Sequence, residues 1–284
     1  MALCLLSACL TGSLLAFKPE LDAWLNPQIF RIPASGSAPL DEDALRAALK
    51  RQSPTARVRW IEPPRAAGDP ALANVAGWRD PNDAAHRINE VFVHPVTGAV
   101  LGARSTTNPR FNRLEFVHWL HRFHYMIGLQ RTGMLIMGGV AIAWFVDSLA
   151  GSLLTLPPGS GRWRRWLRTW KVRRQYVAYD LHRASSLWLW PLLMVMSVSS
   201  IYLNLTQEVF MPAIDGIGHL LPEIWRRPVV ESVLEWQEPL HTGSAFGLAG
   251  RITVCLTGLG AAVGIGAGLL SWLRRSARRP MRGQ

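Results

Sequence analysis

Cysteine is scarce and poorly placed for chemistry. The 284 residues hold three, Cys4, Cys9 and Cys255. All lie inside apolar stretches, which argues against a structural disulfide and gives no metal-ligand spacing. Acidic residues are also few, 19 against 31 lysines and arginines, for a formal net charge of +12. That excess raises nucleic acid as a partner. The arginines, however, adjoin apolar runs, and no basic-aromatic groove pattern accompanies them, so the reading is no nucleic acid. Hydrophobic residues make up 49% of the chain and mean hydropathy is +0.11. This composition suits a small membrane bundle carrying one compact polar domain.

A membrane-spanning helix needs about 20 mostly apolar residues. Four stretches are candidates: 1–17, 134–156, 187–205 and 252–273. Asp147 interrupts the second, and a carboxylate at that depth is expected to face the bundle or a polar cavity. Gly138, Gly139 and Gly151 in the second span, and Gly258, Gly260, Gly264, Gly266 and Gly268 in the fourth, mark candidate packing seams. The first stretch is short: 17 residues rise about 25 Å, against a hydrocarbon core of about 30 Å. Leu6-Ser7-Ala8-Cys9 matches a lipoprotein cleavage box. No lysine or arginine precedes it and the apolar run before Cys9 is brief, so a helix already begun at Met1 is the preferred reading.

Charge sets the orientation. Arg162, Arg164, Arg165, Arg168, Lys171, Arg173 and Arg174 crowd one loop against Asp180, and the tail holds Arg274, Arg275, Arg278, Arg279 and Arg282. The loop before the fourth span has Arg226 and Arg227 against Glu208, Asp215, Glu223, Glu231, Glu235 and Glu238. The positive-inside rule puts the arginine loop, the C-terminus and, with four spans, the N-terminus in the cytoplasm.

The polar stretch 18–113 lies outside. A helix is expected at 40–51, where apolar residues recur at helical spacing behind Asp41, Glu42 and Asp43. Alternation predicts a strand at 56–61 with Val58 and Trp60 inward, and a hairpin of 90–96 with 99–103. The expected fold class is a mainly α membrane protein: a four-helix transmembrane bundle with a small α+β extracytoplasmic domain between helices one and two. The organisation reads as a first helix (1–17), the outer segment (18–113), an interfacial helix with the second span (114–156) and a basic loop (157–181). A third span (182–205), an outer loop (206–240), a lead-in with the fourth span (241–273) and a basic tail (274–284) follow.

Five of the eight histidines are patterned. His121 lies between His118 and His124 ahead of span two, His182 opens span three, and His241 precedes span four; Leu-His pairs occur at 120, 181 and 240. His86, His94 and His219 read as ordinary surface or turn residues. Gly128, Gly133, Gly247 and Gly250 are placed to bend the two outer lead-ins along the membrane surface. His121 and His241, at one level on two helices, have the placement of axial ligands to one haem iron. Two other readings stand beside this one. Interfacial histidines hydrogen-bond headgroups and neighbouring helices, and His118, His121 and His124 form a candidate zinc set, though i, i+3, i+6 spacing turns the third ring off the first face.

Certain stretches resemble the PepSY-associated transmembrane family of iron-regulated membrane proteins and ferrisiderophore reductases. Gly12-Ser13-Leu14-Leu15-Ala16-Phe17 with Glu20-Leu21-Asp22-Ala23-Trp24-Leu25-Asn26-Pro27 resembles the exit from its first helix, and residues 92–102 its PepSY hairpin. Residues 144–157 resemble its second helix, Asp180-Leu181-His182-Arg183-Ala184 its third, and Leu240-His241-Thr242-Gly243 with Gly247-Leu248-Ala249-Gly250-Arg251 its fourth. The resemblance implies a haem b protein of the bacterial inner membrane that passes electrons to a ferric siderophore or other iron chelate. It implies haem ligands at His121, His241 and His182, with His118 and His124 as substitutes. Family members carry a cytoplasmic Leu-His segment before the first helix. Without it His182 has no opposing ring, and the expectation is one firmly held haem. No flavin or nicotinamide segment is recognised, so the electron donor is a separate, unidentified molecule. The other function expected is a non-catalytic anchor displaying a PepSY domain to a periplasmic partner.

Overall fold

The computed structural model describes residues 1–33, 36–80, 83–155, 177–218 and 223–277. The arginines from 162 to 174, Arg278, Arg279, Arg282 and His219 lie outside the described residues. In chain order the elements begin with α1 (Ala2–Leu15), α2 (Lys18–Leu25), α3 (Pro27–Phe30) and α4 (Glu42–Gln52). The strands β1 (Arg57–Glu62), β2 (Ala71–Asp80), β3 (Asp83–Val93) and β4 (Val100–Arg104) come next. Then follow α5 (Phe116–Met126), α6 (Gln130–Thr155), α7 (Val177–Trp188), α8 (Trp190–Leu205), α9 (Met211–Gly218), α10 (Glu223–Thr242) and α11 (Gly247–Ala277). The chain divides into two compact units, Phe17–His121 and Met1–Ala16 with Arg122–Gln284.

The first of these is built on an antiparallel sheet in the order β1-β2-β3-β4. Asp41 starts α4 by accepting the Ala44 N–H at 2.8 Å. Leu45 and Leu49 then pack on the sheet face formed by Ala71, Ala73, Val75, Val91 and Val93. Strand β1 falls where alternation places it, but a bulge between Val58 and Trp60 shifts its register. Val58 and Ile61 face the core, and Trp60 is 46% exposed rather than inward. Strand β2 was not expected from the sequence. The hairpin β3–β4 closes at Gly98 (φ 70°), whose N–H reaches the His94 carbonyl. On the other face of β3, buried Phe92 meets Phe30 edge-on at 5.1 Å, and the Arg104 guanidinium lies over the Phe92 ring at 4.6 Å. Arg104 is itself buried and paired with Asp22 at 2.5 Å and Glu90 at 2.8 Å. Desolvating a guanidinium is costly, and these two carboxylates offset that cost.

In the second unit α6 and the stretch 244–274 are each long and apolar enough to cross a membrane. α7 with α8 meets that test only as a pair bent by 70°, and α1 only when joined to α2. Among the described residues that makes two candidate spans, or up to four with each bent pair counted once. The third span, expected as one run through 187–205, is thus interrupted at Leu189. Pro191 in the first turn of α8 has no N–H to continue the hydrogen-bond ladder. The glycine seams are real at some positions. A Cβ on Gly258 would stand 2.3 Å from Ser13 Oγ of α1, and on Gly138 2.3 Å from Leu205 of α8. Gly260, Gly264 and Gly268, four apart, would meet Leu189, Ser185 and His182. Gly139, Gly151 and Gly266 have no such neighbour. Asp147 is exposed, not turned into the bundle. It lies nine residues beyond Gly138, about 180° round the helix from the side that packs on α8.

Candidate functional site

The same turn device is built twice. α5 ends at Met126, and the chain turns through Ile127, Gly128 and Gln130, all at positive φ. α10 ends at Thr242, and the turn runs through Gly243 (φ 77°), the 3-10 turn Ser244–Phe246 and Gly247 (φ 57°). The next helix starts hard against each turn. A Cβ on Gly133 would lie 1.7 Å from the Met126 carbonyl oxygen, and one on Gly250 2.1 Å from that of Gly243. His124 precedes Gly133 by nine residues, and His241 precedes Gly250 by the same nine. The expected bends at Gly128 and Gly247 are present. Gly133 and Gly250 serve instead as clearances inside the following helices.

These two histidines meet. The ring centroids of His124 and His241 are 6.3 Å apart with an interplanar angle of 59°. Each Nδ1 faces a hydroxyl: Thr11 Oγ1 of α1 at 2.8 Å from His124, and Ser199 Oγ of α8 at 2.9 Å from His241. Each hydroxyl has one hydrogen, and each gives it to its own helix, Thr11 to the Ser7 carbonyl at 2.7 Å and Ser199 to that of Val195 at 2.8 Å. With its hydrogen on the carbonyl, each hydroxyl oxygen is open to accept from the imidazole Nδ1. In that arrangement the proton is on Nδ1 and Nε2 is the basic nitrogen of each ring. Gly12 gives His124 room, since a Cβ there would stand 2.9 Å from its Cε1.

The separation of the two rings is of the size that one metal between two imidazoles would need. A ligating nitrogen sits ~2 Å from its metal and roughly 1 Å from its ring centroid, so two opposed rings stand about 6 Å apart. Two imidazoles whose Nδ1 atoms each meet a hydroxyl are a candidate ligand pair for a haem iron.

The remaining histidines lie elsewhere. His121, expected opposite His241, is exposed, and His124 occupies the place beside His241. Three residues along α5 turn the ring by a net 60° or so, enough to take it from the exposed side at His121 to the edge that meets the neighbouring helices at His124. His118 is 8% exposed, and its Nδ1 has no hydrogen-bond partner among the described residues. Burial, and then the charges of Arg104, Lys18 and His121, push its pKa down to about 2. The exposed His182 donates from Nδ1 to the Gly264 carbonyl at 2.8 Å, which also leaves Nε2 basic. Among the described residues no three of His, Cys, Asp or Glu gather to hold a metal ion, so the zinc set of His118, His121 and His124 does not form.

His94 is a turn residue, as read from the sequence; its Nδ1 accepts the Val96 and Thr97 N–H groups. His86 is not a surface residue. It is buried, and its Nε2 meets Glu115 at 2.7 Å. Glu115 also accepts the Ser105 and Arg110 N–H groups, which seats the chain at the start of α5. Sequence reasoning also passed over Thr11, Gly12 and Ser199. The one sequence signal for the pair that meets in the structure is the repeated nine-residue interval from histidine to glycine.

No curated protein matches the chain. The family model described as PepSY-associated TM region matches residues 1–223 and 221–275. The sheet unit, the apolar helices and this match over nearly the whole length agree, and the chain is a multi-pass membrane protein that belongs to the PepSY-associated TM region family.

Proposed function

We propose that the protein is a haem protein of the bacterial inner membrane that passes electrons to a ferric chelate on the side of the sheet domain, with both termini and the arginine loop cytoplasmic. The observation that carries this reading is the His124–His241 pair, two rings 6.3 Å apart with both Nδ1 atoms anchored by hydroxyls. Haem, when bound, supplies a one-electron carrier in an otherwise redox-inert apolar helix bundle. The chain's own residues do the rest. His124 and His241 would hold the iron by Nε2, with Thr11 and Ser199 fixing the rings. His182, with Nδ1 tied to the Gly264 carbonyl, is the candidate ligand nearer the cytoplasm. The electron donor is a separate molecule, and the iron chelate is the substrate.

A second reading is a non-catalytic anchor that displays the sheet domain to a periplasmic partner. It draws on a cleft of about 790 Å³ lined by Pro33, Pro39, Pro63, Pro64 and Pro95 with Leu40 and Ile61, suited to an apolar ligand or peptide. An absorption spectrum of the purified full chain separates the two. A Soret band that is lost in His124→Ala and in His241→Ala, and kept in His121→Ala, is the expected result. Absence of the band in the unaltered protein defeats the haem reading and leaves the anchor.

A further inference from the structure

Serine and threonine often bond back to their own helix inside membranes. That habit explains the bonds from Thr11 to Ser7 and from Ser199 to Val195. It does not explain why each hydroxyl also lies within 2.9 Å of an imidazole Nδ1, on two different helices and for both members of one pair. The residue types differ and the helices differ, yet the contacts are the same: imidazole Nδ1 against the hydroxyl oxygen, and the hydroxyl hydrogen on the carbonyl four residues back. Gly12, adjoining Thr11, is the clearance that lets the first ring reach its hydroxyl.

We propose that Thr11 and Ser199 are paired positioning residues that hold His124 and His241 in the Nδ1–H form and set the strength with which Nε2 donates. The inference rests on the haem reading for its consequence, but the tautomer itself does not require haem. A hydrogen bond accepted from the far side of the ring increases the basicity of the ligating nitrogen. A stronger donor favours Fe(III) over Fe(II), so the two hydroxyls hold the reduction potential down. A low potential gives electrons a downhill route to a ferric chelate. The back-bonds add to the effect, because a hydroxyl already donating to a carbonyl is a better acceptor.

The test uses the full-length protein in two arms. In the first, protein freed of haem and labelled with ¹⁵N-histidine is compared as wild type, Thr11→Val and Ser199→Ala. The wild type should show Nδ1–H at His124 and His241, and each variant should lose it at its own histidine. In the second, haem-loaded protein is titrated reductively with the optical spectrum as readout. Thr11→Val and Ser199→Ala should each raise the midpoint potential and weaken haem binding about tenfold. Thr11→Ser and Ser199→Thr should restore both quantities. Nε2–H tautomers in the wild type overturn the inference whatever the protein binds. Unchanged potential and affinity in both variants overturn it with the haem reading intact. A wild type that shows Nδ1–H at both rings but takes up no haem overturns the haem reading and, with it, the tuning role.

Discussion

At Gly12 a single hydrogen atom stands where any other side chain would begin, and the His124 ring fills the space. Gly12→Ala puts a methyl 2.9 Å from Cε1, on a rigid helix that cannot retreat. The expected outcome is a roughly tenfold loss of haem per protein, read from the Soret band. Gly266→Ala, with nothing within 4 Å of the new carbon, is the control and should keep the band. Retention of haem by the Gly12 variant would show that the ring does not sit there in the loaded protein. His118 gives a different prediction. Its folded pKa is pushed down to about 2, while an unfolded histidine takes up a proton near 6.5. Below that value the unfolded chain binds the extra proton, so stability falls as the pH falls. The slope contributed is at most about 1.4 kcal/mol per pH unit. His118→Gln should flatten the unfolding free energy between about pH 6.5 and pH 4, measured by denaturant melts in detergent. An unaltered slope assigns the acid sensitivity to other groups.

Among the elements, the two turn-and-clearance devices should be equally intolerant. In Gly133→Ala and Gly250→Ala the added carbon meets backbone, not a flexible side chain, so a helix must move. Both should lower thermal stability by several degrees and shift the visible spectrum, whereas Gly139→Ala should do neither. Wild-type behaviour of Gly250→Ala would refute the equivalence of the two turns. The bends were legible because Gly128 and Gly247 sit between apolar runs. α4 was legible because Asp41 and the apolar spacing behind it agree. Strand β2 was not, because its inward positions include Ala71 and Ala73, and Asn74, Gly77 and Asp80 are poor strand residues. The direction of Trp60 was lost to a bulge, which alternation cannot foresee. The histidine pair was half legible. Periodicity places His118, His121 and His124 on α5 but does not say which face meets the bundle. That is decided by packing of α5 against a helix more than a hundred residues away in sequence, where Thr11 is the partner.

For the whole molecule the charge bias makes a topological prediction. α11 runs 31 residues, long enough at 1.5 Å per residue to exceed a hydrocarbon core of about 30 Å. In a background lacking Cys4, Cys9 and Cys255, a cysteine at exposed Asn108 should react with an impermeant maleimide added to intact cells, and one at exposed Arg274 should react after lysis. The opposite pattern would invert the protein and put the sheet domain in the cytoplasm.

The histidine site draws one residue from each of α1, α5, α8 and α10. A ribosome delivers these in the order Thr11, His124, Ser199, His241, and the last emerges after about five-sixths of the chain has been made. No nascent fragment ending before α10 contains both rings. The early helices are therefore made ahead of the site, and over the stretch from His124 to His241, about two-fifths of the chain, the growing polypeptide holds one imidazole of the pair. On the haem reading proposed above, a two-histidine centre would be completed only when the bundle is nearly whole, and a stalled or clipped chain would lack it.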